Sequence, residues 1–244
     1  MLSTKESRNC QHDNVSIAPP PWELDVSDGW ICPFWFDKRK HSQLLMSDSD
    51  RKDACDCGIG IVMVVSYRDC PVGGYDEFLV AIPCKSPSIK GEILPTYRIP
   101  RIYVSSEASL RNGRRNWGIR KELADFKWNK SKYFVYSKTT VIVRDRITHQ
   151  VLFAGGLYSM SIPIFLVPLG LLGKLCPLIV EEQIDEEGQV HGESQWVLTR
   201  LSGCGWCRLG IGFVRHVIGN ISIRFVAYLC GLLYFPVPNV LDQV

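Results

Sequence analysis

Gly60-Ile61-Val62-Met63-Val64-Val65-Ser66-Tyr67, followed by Asp69-Cys70-Pro71-Val72-Gly73-Gly74 and then Tyr75-Asp76-Glu77-Phe78-Leu79-Val80-Ala81-Ile82-Pro83, reads as strand, turn, strand. The two apolar runs are rich in β-branched and aromatic residues, while proline and paired glycines supply the reversal. Outward from this hairpin the pattern continues. Residues 98–105 read as another strand, placed by Pro100 at an edge or bulge. Upstream, residues 29–36 read as a first strand, and the charged, turn-rich 37–56 as a loop. Downstream, residues 132–143 read as one curved strand, which a turn at Asp145 pairs with 150–157. Only 107–112 and 120–126 read as short helices. Many short strands with turns between them predict a mainly β, α+β chain whose sheet curls or closes.

The 244 residues can bury a substantial core, as one large domain or two small ones. With 46% hydrophobic and 11% aromatic residues the composition is globular. Basic and acidic residues number 28 and 25, which argues against a nucleic-acid-binding face. Residues 1–18 are polar, without an apolar signal core, and read as a disordered tail ahead of a domain spanning 19–244. A cytoplasmic protein with reduced thiols is the expectation, so the ten cysteines are not a disulfide framework. Cys55-Asp56-Cys57 and Cys204-Gly205-Trp206-Cys207 have ligand-like spacing but lie far apart, leaving zinc, redox and plain thiol readings open with plain thiols favoured. Histidines 12, 41, 149, 191 and 216 show no metal-binding spacing, and no glycine-rich loop suits a nucleotide, so neither metal nor cofactor is expected. Residues 151–173 carry no charge and match a membrane span in length. Pro163, Pro168 and several glycines favour instead a buried strand plus an apolar loop, with a lid or membrane-touching loop as the alternative.

One segment bears on chemistry. In Arg111-Asn112-Gly113-Arg114-Arg115-Asn116-Trp117-Gly118-Ile119-Arg120-Lys121-Glu122-Leu123-Ala124 a lysine follows four arginines. A lysine is nucleophilic near neutral pH only when apolar burial or neighbouring positive charge disfavours its ammonium form. The segment offers both. By composition alone it is also an ordinary solvated basic loop.

Taken with Pro19-Pro20-Pro21-Trp22, Tyr67, Pro71-Val72-Gly73-Gly74-Tyr75-Asp76-Glu77 and Arg98-Ile99-Pro100-Arg101-Ile102-Tyr103-Val104-Ser105-Ser106, the segment resembles the acetoacetate decarboxylase family, in its divergent fungal-type branch. The resemblance is good over roughly residues 19–126 and general beyond. It implies a curled antiparallel sheet or cone-like barrel around an apolar cavity, and a homo-oligomer. It also implies an imine between a lysine amine and a substrate ketone; acetoacetate decarboxylase is itself the familiar case of a lysine so activated. On the matching positions Lys121 is the Schiff-base nucleophile, Glu77 the active-site glutamate, and Arg114 a holder of a substrate carboxylate. Three positions depart from the family. Glu122 stands where a second lysine is usual, Arg120 for proline and Arg115 for glutamate. An anion beside Lys121 would oppose the chemistry.

The function expected is a Schiff-base-forming lyase on a β-keto acid or related keto compound, by decarboxylation or aldol and dehydration steps. The apolar 151–173 block suits a small-molecule substrate greasier than acetoacetate, as in secondary metabolism. The alternative is a non-catalytic carrier of an apolar ligand that kept the cavity and lost the reaction.

Overall fold

In the computed structural model the described residues are 17–85, 96–132, 136–160, 166–168, 178–182, 196–200, 202–223, 226–235, 237 and 239–241. The elements in chain order are β1 (Trp22–Asp37), a 3-10 turn (Ser42–Leu44), α1 (Asp48–Asp53), β2 (Cys57–Asp69), β3 (Tyr75–Cys84), β4 (Thr96–Val104), α2 (Glu107–Trp117), β5 (Lys121–Lys132), β6 (Tyr136–Asp145), β7 (Val151–Met160), β8 (Leu166–Pro168), β9 (Leu178–Glu182), β10 (Trp196–Arg200), β11 (Ser202–Val217), β12 (Val226–Phe235) and β13 (Asn239–Leu241).

Hydrogen bonding runs β4-β3-β2-β1-β12-β11-β7-β6-β5, and β5 then returns to β4, so the sheet closes on itself. Every pairing in the ring is antiparallel except this closure, where Ile102 to Val104 run parallel to Lys121 to Leu123. A parallel pair needs a crossover, and α2 supplies it. The start of β4 pairs instead with β9, which leads out to β10 and β13. The strand β4 is therefore the branch point.

Two apolar clusters follow from the closure. The first takes residues from all nine ring strands, among them Trp30, Val64, Phe78, Tyr103, Ala124, Val141, Phe153, Val217 and Val226, and so fills the interior. The second lies on the opposite face of β1 to β4, under α2 and β9, and holds Trp22, Leu24, Tyr67, Tyr75, Ile102, Val104, Leu110, Trp117 and Ile179. Strand β1 serves both. Val26 lies in the outer cluster and Trp30 in the inner one, although both numbers are even, because register shifts between Val26 and Gly29 swap the faces.

The mainly β, closing sheet is as the sequence reading expected, and so are the hairpin around residues 70–74 and the turn at Asp145. Several local readings are corrected. Residues 120–126 are not helical: Gly118, at φ 65°, ends α2, and β5 begins at Lys121. From Ala124 to Asn129 the side chains alternate apolar and polar, the period of a strand. Residues 132–143 are not one strand, since Lys132 closes β5 and pairs with Ser137 of β6. The first strand starts at Trp22, seven residues before residue 29. The 37–56 loop contains α1, which Ser47 and Asp50 cap reciprocally. Of the 151–173 block, β7 and β8 are described and strand-like, and the rest lies outside the described residues, as do residues 1–16 of the expected tail. Among the described residues no helix is long and apolar enough to cross a membrane.

Candidate active site

The closure strand carries the lysine. Lys121 opens β5 beside Ile102 of β4, and β4 in turn pairs with β3, where Glu77 lies opposite Val104. Lys121 and Glu77 thus stand two strands apart on one face, with the buried Ile102 and Val104 between them as an apolar floor. The roof is α2. Ser106 caps its first turn, accepting from the Ser109 amide at 3.4 Å, and its inward face carries Ser109 and Gly113, one turn apart. A Cβ on Gly113 would lie 2.6 Å from Cε and 2.7 Å from Cδ of Lys121. Glycine is therefore what lets the lysine stem pass beneath the helix.

The amine ends in contact with partners. Lys121 Nζ donates to Glu77 Oε2 at 2.9 Å and to Ser109 Oγ at 3.1 Å, and lies 5.3 Å from the centre of the Tyr75 ring. Lys121, Glu77 and Ser109 are respectively 4%, 3% and 0% exposed. Tyr67 donates its hydroxyl to Glu77 Oε1 at 3.2 Å, and Tyr75 donates to Oε2 at 3.4 Å. Burial first, and the charge of Glu77 second, push both phenols well above their ordinary pKa. They stay neutral donors that hold the carboxylate in place. The half-buried Cys70 thiol nearby is also pushed up by burial and donates to the Gly73 carbonyl at 2.8 Å.

Arg114 sits at the other end of the same residue. Its Nε and Nη2 donate to the Lys121 backbone carbonyl at 3.1 and 2.7 Å, clamping the end of α2 to the start of β5. Glu122, the departure that weighed against the chemistry, points away. Neighbours on a strand face opposite sides, so Glu122 is exposed and sits beside Tyr103, whose phenol burial and that charge push up to about 12.

The helix is itself held from the amino-terminal side. The Ala18 amide donates to Asn112 Oδ1, and Asn116 Nδ2 and Trp22 Nε1 both donate to the Ala18 carbonyl. Trp22 meets Trp117 edge-on at 4.9 Å. This is the structural use of the Pro19-Pro20-Pro21-Trp22 entry.

Sequence reasoning singled out Lys121, Glu77 and Arg114 but gave no role to Ser109, Tyr67 or Tyr75. Tyr67 and Tyr75 were legible as same-face neighbours of Glu77 in a hairpin; a lone serine in a helix carries no such signal. A cavity of about 810 Å³ lies elsewhere, lined by Phe34, Trp35, His41, Ile59 and others, and does not include Lys121. Among the described residues no group of histidine, cysteine or acidic side chains is arranged to hold a metal.

A ring-closed β sheet of this kind recurs in solved proteins. Residues 53–156 match the family model of acetoacetate decarboxylase. The fold is similar to acetoacetate decarboxylase from Legionella pneumophila (TM-score 0.67, 14% identity, covering 92% of this chain and 88% of that one). It is also similar to an acetoacetate decarboxylase-like enzyme from Sphingomonas wittichii (TM-score 0.64, 14% identity, 93% and 94% covered). A third likeness is to the enduracididine biosynthesis enzyme MppR complexed with pyruvate (TM-score 0.59, 11% identity, 95% and 94% covered). No curated protein matches the chain in sequence. The acetoacetate decarboxylase resemblance read from the sequence holds, at low identity.

Proposed function

We propose that the protein is a lyase that forms an imine between Lys121 and a keto acid. The observation that carries this reading is the Lys121 amine: buried, on an apolar floor, 2.9 Å from Glu77. To attack a carbonyl the amine must first lose a proton, and Glu77 is the acceptor in reach. The protonated imine then withdraws electrons from the adjacent carbon, so that carbon dioxide leaves or an enamine adds to an aldehyde. The low-polarity surround strengthens each of these charge interactions. Arg114 sets the entry of β5 and hence the origin of the lysine side chain. Support for a keto-acid substrate comes from the likeness to one enzyme, MppR, solved both with pyruvate and with a condensation product of pyruvate and imidazole 4-carboxaldehyde.

One observation favours a second reading. The amine is already satisfied by Glu77 and Ser109, as a purely structural ion pair in a ligand carrier would be. Borohydride reduction in the presence of acetoacetate or pyruvate, followed by peptide mapping, separates the two. Imine chemistry predicts an adduct on Lys121 that Lys121→Ala lacks. Ligand binding without any adduct would overturn it.

A further inference from the structure

The polar groups around Nζ form a ring of neighbours. The amine donates to Ser109 Oγ at 3.1 Å, the Ser109 hydroxyl faces the Tyr75 phenol and opposes the rise that burial gives its pKa, and Tyr75 donates at 3.4 Å to the same Glu77 oxygen that the amine reaches directly at 2.9 Å. Two routes therefore join Nζ to Oε2, one direct and one through two hydroxyls. All four residues are buried, Ser109 completely. A hydroxyl both accepts and donates, which suits it to pass a proton on; an ordinary helix-packing serine needs neither contact.

We propose that Ser109 is a catalytic residue, the first link of a second proton route from Lys121 through Tyr75 to Glu77. The inference rests on the imine reading above. Imine formation from an ammonium and a ketone removes two protons from nitrogen, and both leave on the departing oxygen as water. Glu77 takes the first directly, and the amine lone pair forms the C–N bond while the carbonyl oxygen receives that proton. In the resulting carbinolamine the new substituent stands between nitrogen and Glu77. The second proton then passes from nitrogen to Ser109 Oγ as the Ser109 proton moves to Tyr75 and the Tyr75 proton to Glu77. Glu77 delivers it to the carbinolamine hydroxyl, the C–O bond breaks and water departs. Nitrogen keeps one proton, the imine carries the positive charge, and Glu77 is again a carboxylate. No outside reactant is needed.

The test is the rate of borohydride-trappable adduct formation with acetoacetate or pyruvate, followed against pH, together with kcat and KM where turnover is seen. Ser109→Ala should slow adduct formation about 100-fold with KM within a factor of three, and Ser109→Thr should restore most of the rate. Tyr75→Phe, which keeps the ring, should slow it similarly, and the double variant should be no slower than the worse single one. Thermal unfolding of each variant separates loss of fold from loss of rate. A wild-type adduct formed equally fast by Ser109→Ala overturns the relay alone. So does a Tyr75→Phe variant at the wild-type rate. Absence of an adduct in the wild type overturns the imine reading, and the relay with it.

Discussion

Gly113 is the smallest residue at the candidate site, and the course of the Lys121 side chain depends on it. An added methyl would meet Cδ and Cε well inside contact distance, and the amine beyond them is tied to Glu77 and Ser109. The lysine therefore has to give way, and a displacement of about 1 Å at a reacting atom can cost on the order of 100-fold in rate. Gly113→Ala is expected to lower the rate of adduct formation 10- to 100-fold (an order-of-magnitude range on the same grounds). The unfolding temperature should fall as well, because the shift disturbs the buried Lys121–Glu77 pair by more than alanine's helix preference returns. Stopped-flow trapping beside a thermal scan checks both halves. Glu122 shows the opposite lesson at this scale. In the sequence it is the nearest charge to Lys121, yet one residue along a strand is a change of face, and its carboxylate answers to Tyr103 instead.

Among the elements, β4 binds the branch of the sheet to α1 through a buried charge cluster. Arg98, 2% exposed, faces Asp50 at 3.4 Å, Asp53 at 3.1 Å and Glu181 of β9 at 3.8 Å, and Glu181 also accepts from the Ile99 amide. One guanidinium cannot offset three carboxylates, and burial pushes Glu181 from 4.5 up to about 8 against the pull of Arg98. A raised acid pKa means the folded chain holds a proton that the unfolded chain has released. The stabilisation is full below about 4.5 and is lost as pH rises through about 8. Wild-type unfolding temperature should accordingly fall between pH 6 and 8.5. Glu181→Gln, which keeps an acceptor for Ile99, should flatten that slope; an unchanged slope would place the titration elsewhere. At the other end of the sheet, Trp22→Ala removes the aromatic contact that seats α2 and should cost about 3–5 kcal/mol. Denaturant titration measures that loss.

For the whole molecule, closure of the ring separates two apolar bodies: an interior fed by nine strands, and an outer layer that carries the lysine site. Damage to the first should spare the second. Leu157→Ala, deep in the interior, should cost about 2–5 kcal/mol while leaving the adduct rate at Lys121 within a factor of two, since distant sites act independently. Parallel urea titration and trapping assays test this, and a coupled loss of both would show that the faces are not separate. The residues 60–83 hairpin, the strand content and the lysine signature could be read from the chain alone, because turn residues, alternation and motif spacing are local properties. The extended course of residues 120–126 was also written locally, in the alternation after Ala124, but short periodic runs fit a helix nearly as well until a partner strand selects one. The cluster of Ser109, Tyr75, Glu77 and Lys121 could not be read that way. Its members lie on a helix and two non-neighbouring strands, and only the parallel closure of β5 onto β4, with α2 folded over the joint, brings their polar atoms within hydrogen-bond reach. Sequence thus determined which residue types were present for the chemistry. Tertiary structure decided which of them meet, because contact across strands depends on register and face, and closure of the ring sets both.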